Sequence, residues 1–174
     1  TRDGREVILR ITAAERVVAG EIGVRGNMLL TREEILSRME LRPGRPLNAD
    51  VLREDAARIL RAYSERGRPL ARFYPSRFRR ADDGRVGFVV RLGEGTAVSI
   101  ESVRVFGAPS VDAEAVARIA GVRPDDAWDV RKIERTAARL RREDLFLFVG
   151  EPRVTRGSRD DRVGVEIDVE EGRM

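Results

Sequence analysis

The sequence predicts an α+β fold of tandem β-α-α-β-β units. Each unit is expected to be a three-stranded mixed sheet, in the order first-third-second, with two helices packed on one face. Three observations lead there: an internal repeat, strict apolar alternation in the strands, and a fixed order of helix caps and breakers between them. Sliding Arg91–Gly107 back by 81 positions lays it on Arg10–Gly26 without a gap, pairing Val17 with Val98, Ile22 with Val103, Val24 with Val105 and Gly26 with Gly107. Sliding Arg85–Gly95 forward by 77 positions lays it on Arg162–Gly172, both ending in Glu-Gly. A repeat of this length makes the 174-residue chain an array. Residues 1–14 read as the last strand of a preceding unit, 15–95 as one full unit and 96–174 as a second. The chain lacks an initiator Met and reads as a piece of a longer protein.

Taken in order, Val7, Leu9 and Ile11 alternate with Glu6, Ile8 and Arg10 as the orphan strand. Residues 15–25 form the first strand of the first full unit, ended by the turn signal Gly26-Asn27. Thr31 with Glu34 makes a capping box, and Ile35, Leu36 and Met39 form the buried face of a helix over 32–40. Pro43-Gly44 and Pro46 break it. Asn48 caps a longer helix over 49–66, with Leu52, Ala56, Ile59, Leu60 and Tyr63 on one stripe and Gly67 beyond its end. A hairpin follows: residues 71–79, the turn Asp82-Asp83-Gly84, and residues 85–92, where Val86, Phe88, Val90 and Leu92 point one way.

The second unit repeats this order. Its first strand runs to Phe106, and Asp112 caps a helix over 113–120 carrying Val116, Ile119 and Ala120. Val122-Arg123-Pro124 matches Leu41-Arg42-Pro43, and Asp129 replaces Asn48 as the cap of a helix over 130–142. Ile133, Ala137 and Leu140 replace Leu52, Ala56 and Ile59. The offset then falls by four residues, Pro152 matches Pro75, and Val163, Val165, Ile167 and Val169 alternate in the last strand.

Topology follows from simple rules. The last two strands of a unit form an antiparallel hairpin, and Pro75 and Pro152 push the middle strand to an edge, because proline cannot donate to a ladder. The first strand then pairs with the third, in parallel, with both helices in the crossover. The apolar phase slips by one residue between Ala19 and Ile22, and again between Ile100 and Val103. An extra residue at Gly20-Glu21 and at Glu101-Ser102 restores the phase, so a β-bulge is predicted at each.

Composition removes whole classes of chemistry. With no His and no Cys, there are no Cys/His metal sites, disulfides, thiolates or His general bases. Lys132, the one lysine, lies near the start of an amphipathic helix, where a solvated lysine fits better than a Ser–Lys dyad. The run from Gly93 to Val98 starts like a dinucleotide loop but leads into a strand, so it offers no helix N-terminus to a pyrophosphate. Trp128 precedes a helix cap and reads as a staple-like contact. No cofactor or metal is expected. The 33 arginines are interleaved with 30 acids, leaving a net charge of +4, which fits a charge-dense solvated surface better than a phosphate-binding patch. Phe73, Tyr74 and Phe78, flanked by Arg72, Arg77, Arg79 and Arg80, form the best basic-aromatic cluster. The second unit has Val149, Gly150, Glu151 and Val154 in its place. No apolar run is long enough for a membrane-spanning helix.

These residues resemble a known family, the POTRA (polypeptide-transport-associated) domains of the BamA/TamA-like surface antigen family. The resemblance rests on Ile22-Gly23-Val24-Arg25-Gly26-Asn27, on Thr31 through Leu36, on Leu41 through Asn48, on Tyr63 followed by Gly67, and on the closing Glu94-Gly95 and Glu171-Gly172. Ala13-Ala14 stands where a Glu-Gly is expected, and the second unit lacks the Pro-Gly pair and the Tyr. The resemblance implies a non-enzymatic scaffold on the periplasmic face of the bacterial outer membrane. It further implies that unfolded β-barrel clients are received by strand addition, that accessory assembly proteins are recruited, and that the parent chain continues into a membrane β-barrel. No nucleic acid partner is expected. The edge exposed by the proline rule places docking at Phe73, Ser76, Arg77, Phe78 and Arg79, and in the second unit at Arg153, Val154 and Thr155. Gly93, Glu94, Gly95 and Thr96 are expected to form an inter-unit hinge. Two other classes stay open: a POTRA-like division or adhesion module, and a basic domain binding single-stranded nucleic acid.

Overall fold

The structure is a computed structural model that describes residues 17–110, 118–119, 121–143 and 145–172. The first unit runs β1 (Ala19–Arg25), α1 (Arg32–Arg38), α2 (Ala49–Ser64), β2 (Arg72–Arg80) and β3 (Val86–Gly93). The second runs β4 (Ser99–Phe106), α3 (Val130–Leu140), β5 (Phe146–Val149), β6 (Arg153–Arg156) and β7 (Arg162–Glu171). The strand expected within 1–14 lies outside the described residues. So does the helix expected over 113–120, apart from Arg118 and Ile119.

Both sheets have the expected order. β1 is parallel to β3 and β2 is antiparallel to it, giving β1-β3-β2. In the second unit β4 is parallel to β7, and both β5 and β6 are antiparallel to β7. The middle strand of this unit is therefore split, a difference from the sequence reading. After the Gly150 amide bonds the Asp168 carbonyl at 2.8 Å, the register with β7 shifts by one residue before Arg153 pairs with Glu166, and Pro152, which lacks a donor, falls in the gap. Pro75 keeps its place in an unbroken strand, opposite Val90, because β2 is an edge.

Both predicted bulges are present. Ala19 pairs with Val86 and Ile22 with Phe88, so two residues of β1 face Gly87 alone. Ile100 pairs with Val163 and Ser102 with Gly164, leaving Glu101 extra. A glycine stands across from each bulge, and a side chain there would meet the bulge itself in the first unit and the edge strand in the second. A Cβ on Gly87 would lie 3.1 Å from the Glu21 carbonyl oxygen, and one on Gly164 would lie 2.6 Å from Thr155 Oγ1.

The helices begin and end as their caps dictate. Thr31 and Glu34 exchange hydrogen bonds of 2.8 and 3.1 Å in a full capping box. Asn48 accepts from the Asp50 amide at 2.7 Å, and Asp129 from the Arg131 amide at 2.9 Å. Each unit has its own core. Ile35, Ile59, Tyr63, Phe88 and Val90 are buried in the first, and Ile100, Ile133, Leu140, Val165 and Ile167 in the second. Full burial of one such side chain contributes roughly 1.5–3 kcal/mol. Asp55 is buried without being apolar. Its carboxylate accepts from the Glu40 and Leu41 amides at 2.6 and 3.0 Å and is met by Arg58, so it fixes the loop between α1 and α2.

That loop has a second role. The Ala19 amide bonds the Arg45 carbonyl, and the Gly44 amide the Ala19 carbonyl, both at 2.8 Å, covering the leading end of β1. In the second unit Asp125 through Trp128 do the same to β4, with Ile100 donating to Asp126 at 2.8 Å and accepting from Asp125 at 2.7 Å. The helix breaker thus covers the leading end of the first strand's outer edge in each unit.

Gly26 and Gly107 follow the first strands at φ 78° and 92°, and a Cβ on either would strike the carbonyl oxygen of Leu92 or Val169. Gly44 has φ 87° but open space around it. Gly44→Ala should cost about 1 kcal/mol for the left-handed backbone alone, and Gly26→Ala or Gly107→Ala more than about 3 kcal/mol, read as denaturation midpoints in urea.

Candidate strand-addition edge and inter-unit junction

The expected docking residues fall on β2 and β6. In β2 the ladder is regular from Arg72 to Ser76 and then slips: Ser76 pairs with Val89, but Arg79 pairs with Gly87. The bulge falls on Arg77, at φ 55°, and Phe78. Its extra residue turns Phe78 towards the helices, where it stacks on buried Phe88 with ring centroids 5.4 Å apart. Phe73 also packs on the first core, while Tyr74, opposite Arg91, faces the other way. The three aromatics do not make one stacking platform. Ser76 donates its hydroxyl to the Val89 carbonyl at 3.2 Å.

In β6, Arg153 through Arg156 pair with Glu166 back to Val163 without a slip. Arg153 is held by Asp168 at 2.7 Å, Val154 packs on the second core, and the Thr155 hydroxyl is buried over Gly164 with no hydrogen-bond partner. The Gly157 amide donates to the Arg162 carbonyl at 2.9 Å, which sets the phase of the antiparallel ladder. Counting back by alternation, Thr155 and Arg153 direct their amides to β7, whereas Val154 and Arg156 direct theirs outward.

The same edge holds residues that sequence reasoning missed. Leu147 is 76% exposed and Phe148 53% exposed in β5, with Leu147 the extra residue of a slip between Phe146 and Phe148. The signal was available: Leu145 through Val149 is an apolar run without polar alternation, at a position read as an edge.

The residues expected as a hinge are all engaged. Gly93 ends β3. Glu94 Oε1 accepts from the Met28 amide at 2.6 Å, the Leu29 amide at 2.8 Å and the Tyr63 hydroxyl at 2.8 Å. Arg68 donates to the Gly95 carbonyl, and Thr96 Oγ1 to the Asp160 carbonyl at 3.0 Å. Burial opposes ionisation of Glu94, but the Leu29 amide, the Tyr63 hydroxyl and the Met28 amide outweigh it and hold the carboxyl below its ordinary value. Burial, and then Glu94 itself, push the Tyr63 hydroxyl up. The second unit repeats the clamp: Glu171 Oε1 accepts from the Ser110 amide at 2.7 Å.

Around this junction the units touch. Trp128 is buried in the second core, yet its indole N–H donates to Ser64 Oγ of the first unit at 3.1 Å, beyond the staple role read from sequence. Arg61 forks onto Glu134 at 2.7 and 3.2 Å, Val98 donates its amide to the Gly67 carbonyl at 3.1 Å, and Leu70 packs against the second core.

A family model described as POTRA, surface antigen variable number repeat, matches residues 17–95 and 98–172. The chain belongs to the POTRA family. Similar solved structures include Haemophilus influenzae BamA POTRA3-5, at 15% identity and TM-score 0.62, covering 93% of this chain and 70% of that one. Another is Haemophilus ducreyi BamA lacking POTRA domains 1-3, at 17% identity and TM-score 0.60, covering 91% of this chain and 30% of that one. At such identities the likeness is one of fold. No match is found among curated proteins. In this POTRA pair the closing Glu-Gly is structural, for it ties the end of the third strand to the loop after the first. Among the described residues no group of three or more His, Cys, Asp and Glu is placed to hold a metal ion.

Two measurements check the junction. Glu94→Gln should lower stability by about 1–2 kcal/mol at pH 7, since a charged acceptor of three hydrogen bonds becomes a neutral one. Because the folded-state value of Glu94 is depressed, its contribution is complete above the ordinary carboxyl value of 4.5 and is lost as pH falls below it. The gap between wild type and Glu94→Gln should therefore close below that pH. Second, Trp128→Ala combined with Arg61→Ala should broaden the distance distribution between spin labels at Asp82→Cys and Arg131→Cys. The chain has no cysteine of its own to interfere.

Proposed function

We propose that this POTRA pair is a non-catalytic, periplasmic segment of an outer-membrane protein assembly or transport factor. It receives unfolded β-barrel clients by strand addition and helps recruit accessory assembly proteins. Family membership supports the broad role, and the two Haemophilus structures are parts of BamA. No helix among the described residues is long and apolar enough to cross a membrane, which leaves open a strand barrel further along the parent chain.

The observation that carries the strand-addition reading is the outer side of β6. The inter-helix loops cover the leading ends of the first strands, and β2 has no amide at Pro75 and slips at the Arg77–Phe78 bulge. Strand β6 keeps four residues in register with β7, and Val154 and Arg156 face outward with their main-chain groups. An extended client can bond there with little demand on its sequence. Exposed Phe148, on the other half of the same broken strand, offers an apolar side chain to such a client. Gly93, Glu94, Gly95 and Thr96 are, in this proposal, the pivot about which the units adjust once the Trp128 and Arg61 contacts open.

A photo-crosslinking peptide from an unfolded barrel strand tests this against wild type, Val154→Pro and Val154→Thr. Proline removes an outward amide without touching the β6–β7 ladder, so labelling should fall several-fold, while Val154→Thr should label like wild type. Equal labelling of Val154→Pro, with circular dichroism unchanged, would rule the edge out.

A further inference from the structure

The two units differ on the sheet face that carries no helices. In the first unit Arg25 of β1 stands directly opposite Arg91 of β3, and Arg91 opposite Tyr74 of β2. Arg72 and Arg79, opposite Gly93 and Gly87, lie on the same face by strand alternation. Among the described residues no carboxylate forms an ion pair with Arg25, Arg72, Arg79 or Arg91. Like charges directly opposite on neighbouring strands destabilise a sheet.

The second unit does the reverse. By the 77-residue offset its counterparts of Val89 and Arg91 are Glu166 and Asp168. Both are paired, Glu166 with Arg104 at 3.2 Å and Asp168 with Arg153 at 2.7 Å. One unit neutralises its open face internally and the other leaves a positive one. Beside the Arg25–Arg91 row lies a depression of about 720 Å³, lined by Gly20, Gly23, Gly87 and Val89 and edged by Arg32, Arg77 and Arg79. The three glycines lower much of its floor to the backbone, with Val89 the side chain beside them.

We propose that this open face is a docking surface for an acidic, extended segment of a partner protein, with Arg25 and Arg91 as its central cations. Guanidinium forks match carboxylates bidentately, and the unpaired arginines lie in rows along the strands, as the carboxylates of an extended chain would. A flat anionic membrane fits less well, because a planar surface does not follow a face that sinks into a depression. Nucleic acid fits less well, because Phe73 and Phe78 turn to the helical side and leave Tyr74 alone to stack. The inference is independent of the β6 edge.

The test is fluorescence anisotropy of a labelled twelve-residue peptide of alternating Glu and Thr, with its Gln-Thr counterpart, on the whole 174-residue chain. Arg25→Glu with Arg91→Glu should weaken the Glu peptide at least about tenfold, since like charges now meet across the interface. Arg25→Gln with Arg91→Gln should fall in between. Arg131→Glu with Arg142→Glu, an equal change of net charge on the second unit, should leave binding within about twofold, as expected when the interaction is local rather than a property of net charge. Equal loss in that control pair, or equal binding of the Gln peptide, would overturn the proposal. So would tighter binding of phosphatidylglycerol vesicles or a single-stranded RNA, lost in the Arg25/Arg91 variant. Client labelling at β6 should persist in that variant, so either proposal can fail without the other.

Discussion

A single carboxylate at the end of the third strand holds each unit closed. Glu94 reaches back 65 residues to the Leu29 amide, and Glu171 reaches back 61 to the Ser110 amide. The difference is the four-residue deletion between them. Everything in the crossover can vary in length provided that these two ends meet. The glycine of the first strand completes the contact: Gly26 sits against the Leu92 carbonyl and Gly107 against that of Val169, two residues before each glutamate. Glycine allows the backbones to approach, and the glutamate then satisfies amides that would otherwise be left at the start of a helical crossover. The second clamp has one amide rather than two because Pro109 stands in place of Met28 and cannot donate. This is the physical content of the closing Glu-Gly by which the repeat was first seen.

How much was legible divides along one line. Caps, breakers and alternation depend on neighbours in sequence, so Thr31, Asn48, Asp129 and the phase slips at Gly20-Glu21 and Glu101-Ser102 could be read directly. What a residue meets across the fold could not. Asp55 lies in the apolar stripe of α2, and nothing local says that it answers the Glu40 and Leu41 amides. Trp128 looked like a contact within its unit, because sequence gives no hint that Ser64 of the preceding unit lies within 3.1 Å. Phe78 was assigned to an edge with Arg77, but a left-handed Arg77 is not written in local composition, and it alone reverses the side to which Phe78 points.

Sheet edges invite unwanted pairing, and this chain manages each of them differently. The inter-helix loops cover the leading ends of β1 and β4. Strand β2 combines a proline, a bulge and four arginines. Strand β5 is short and carries a bulge of its own, which limits the pairing its apolar side chains would otherwise favour. What remains is β6, protected by brevity. A four-residue edge is too short to polymerise readily, and in the proposed role it would seat a client held by other contacts as well.

The junction between units follows from the same economy of contacts. The Arg61–Glu134 fork is about half exposed on both sides, and such pairs contribute only about 0–1 kcal/mol. Apolar burial is worth more, so Leu70 of the first unit, packed against the second core, carries most of the coupling, with the Trp128–Ser64 hydrogen bond beside it. The first unit thus lends a side chain to the core of the second, and the second lends an indole donor to the first helix pair. High salt should screen the fork and leave this exchange in place, because its main element is not electrostatic. Opening such a junction means withdrawing Leu70 and breaking the Trp128–Ser64, Val98–Gly67 and Arg61–Glu134 contacts, while Trp128 stays in its own core.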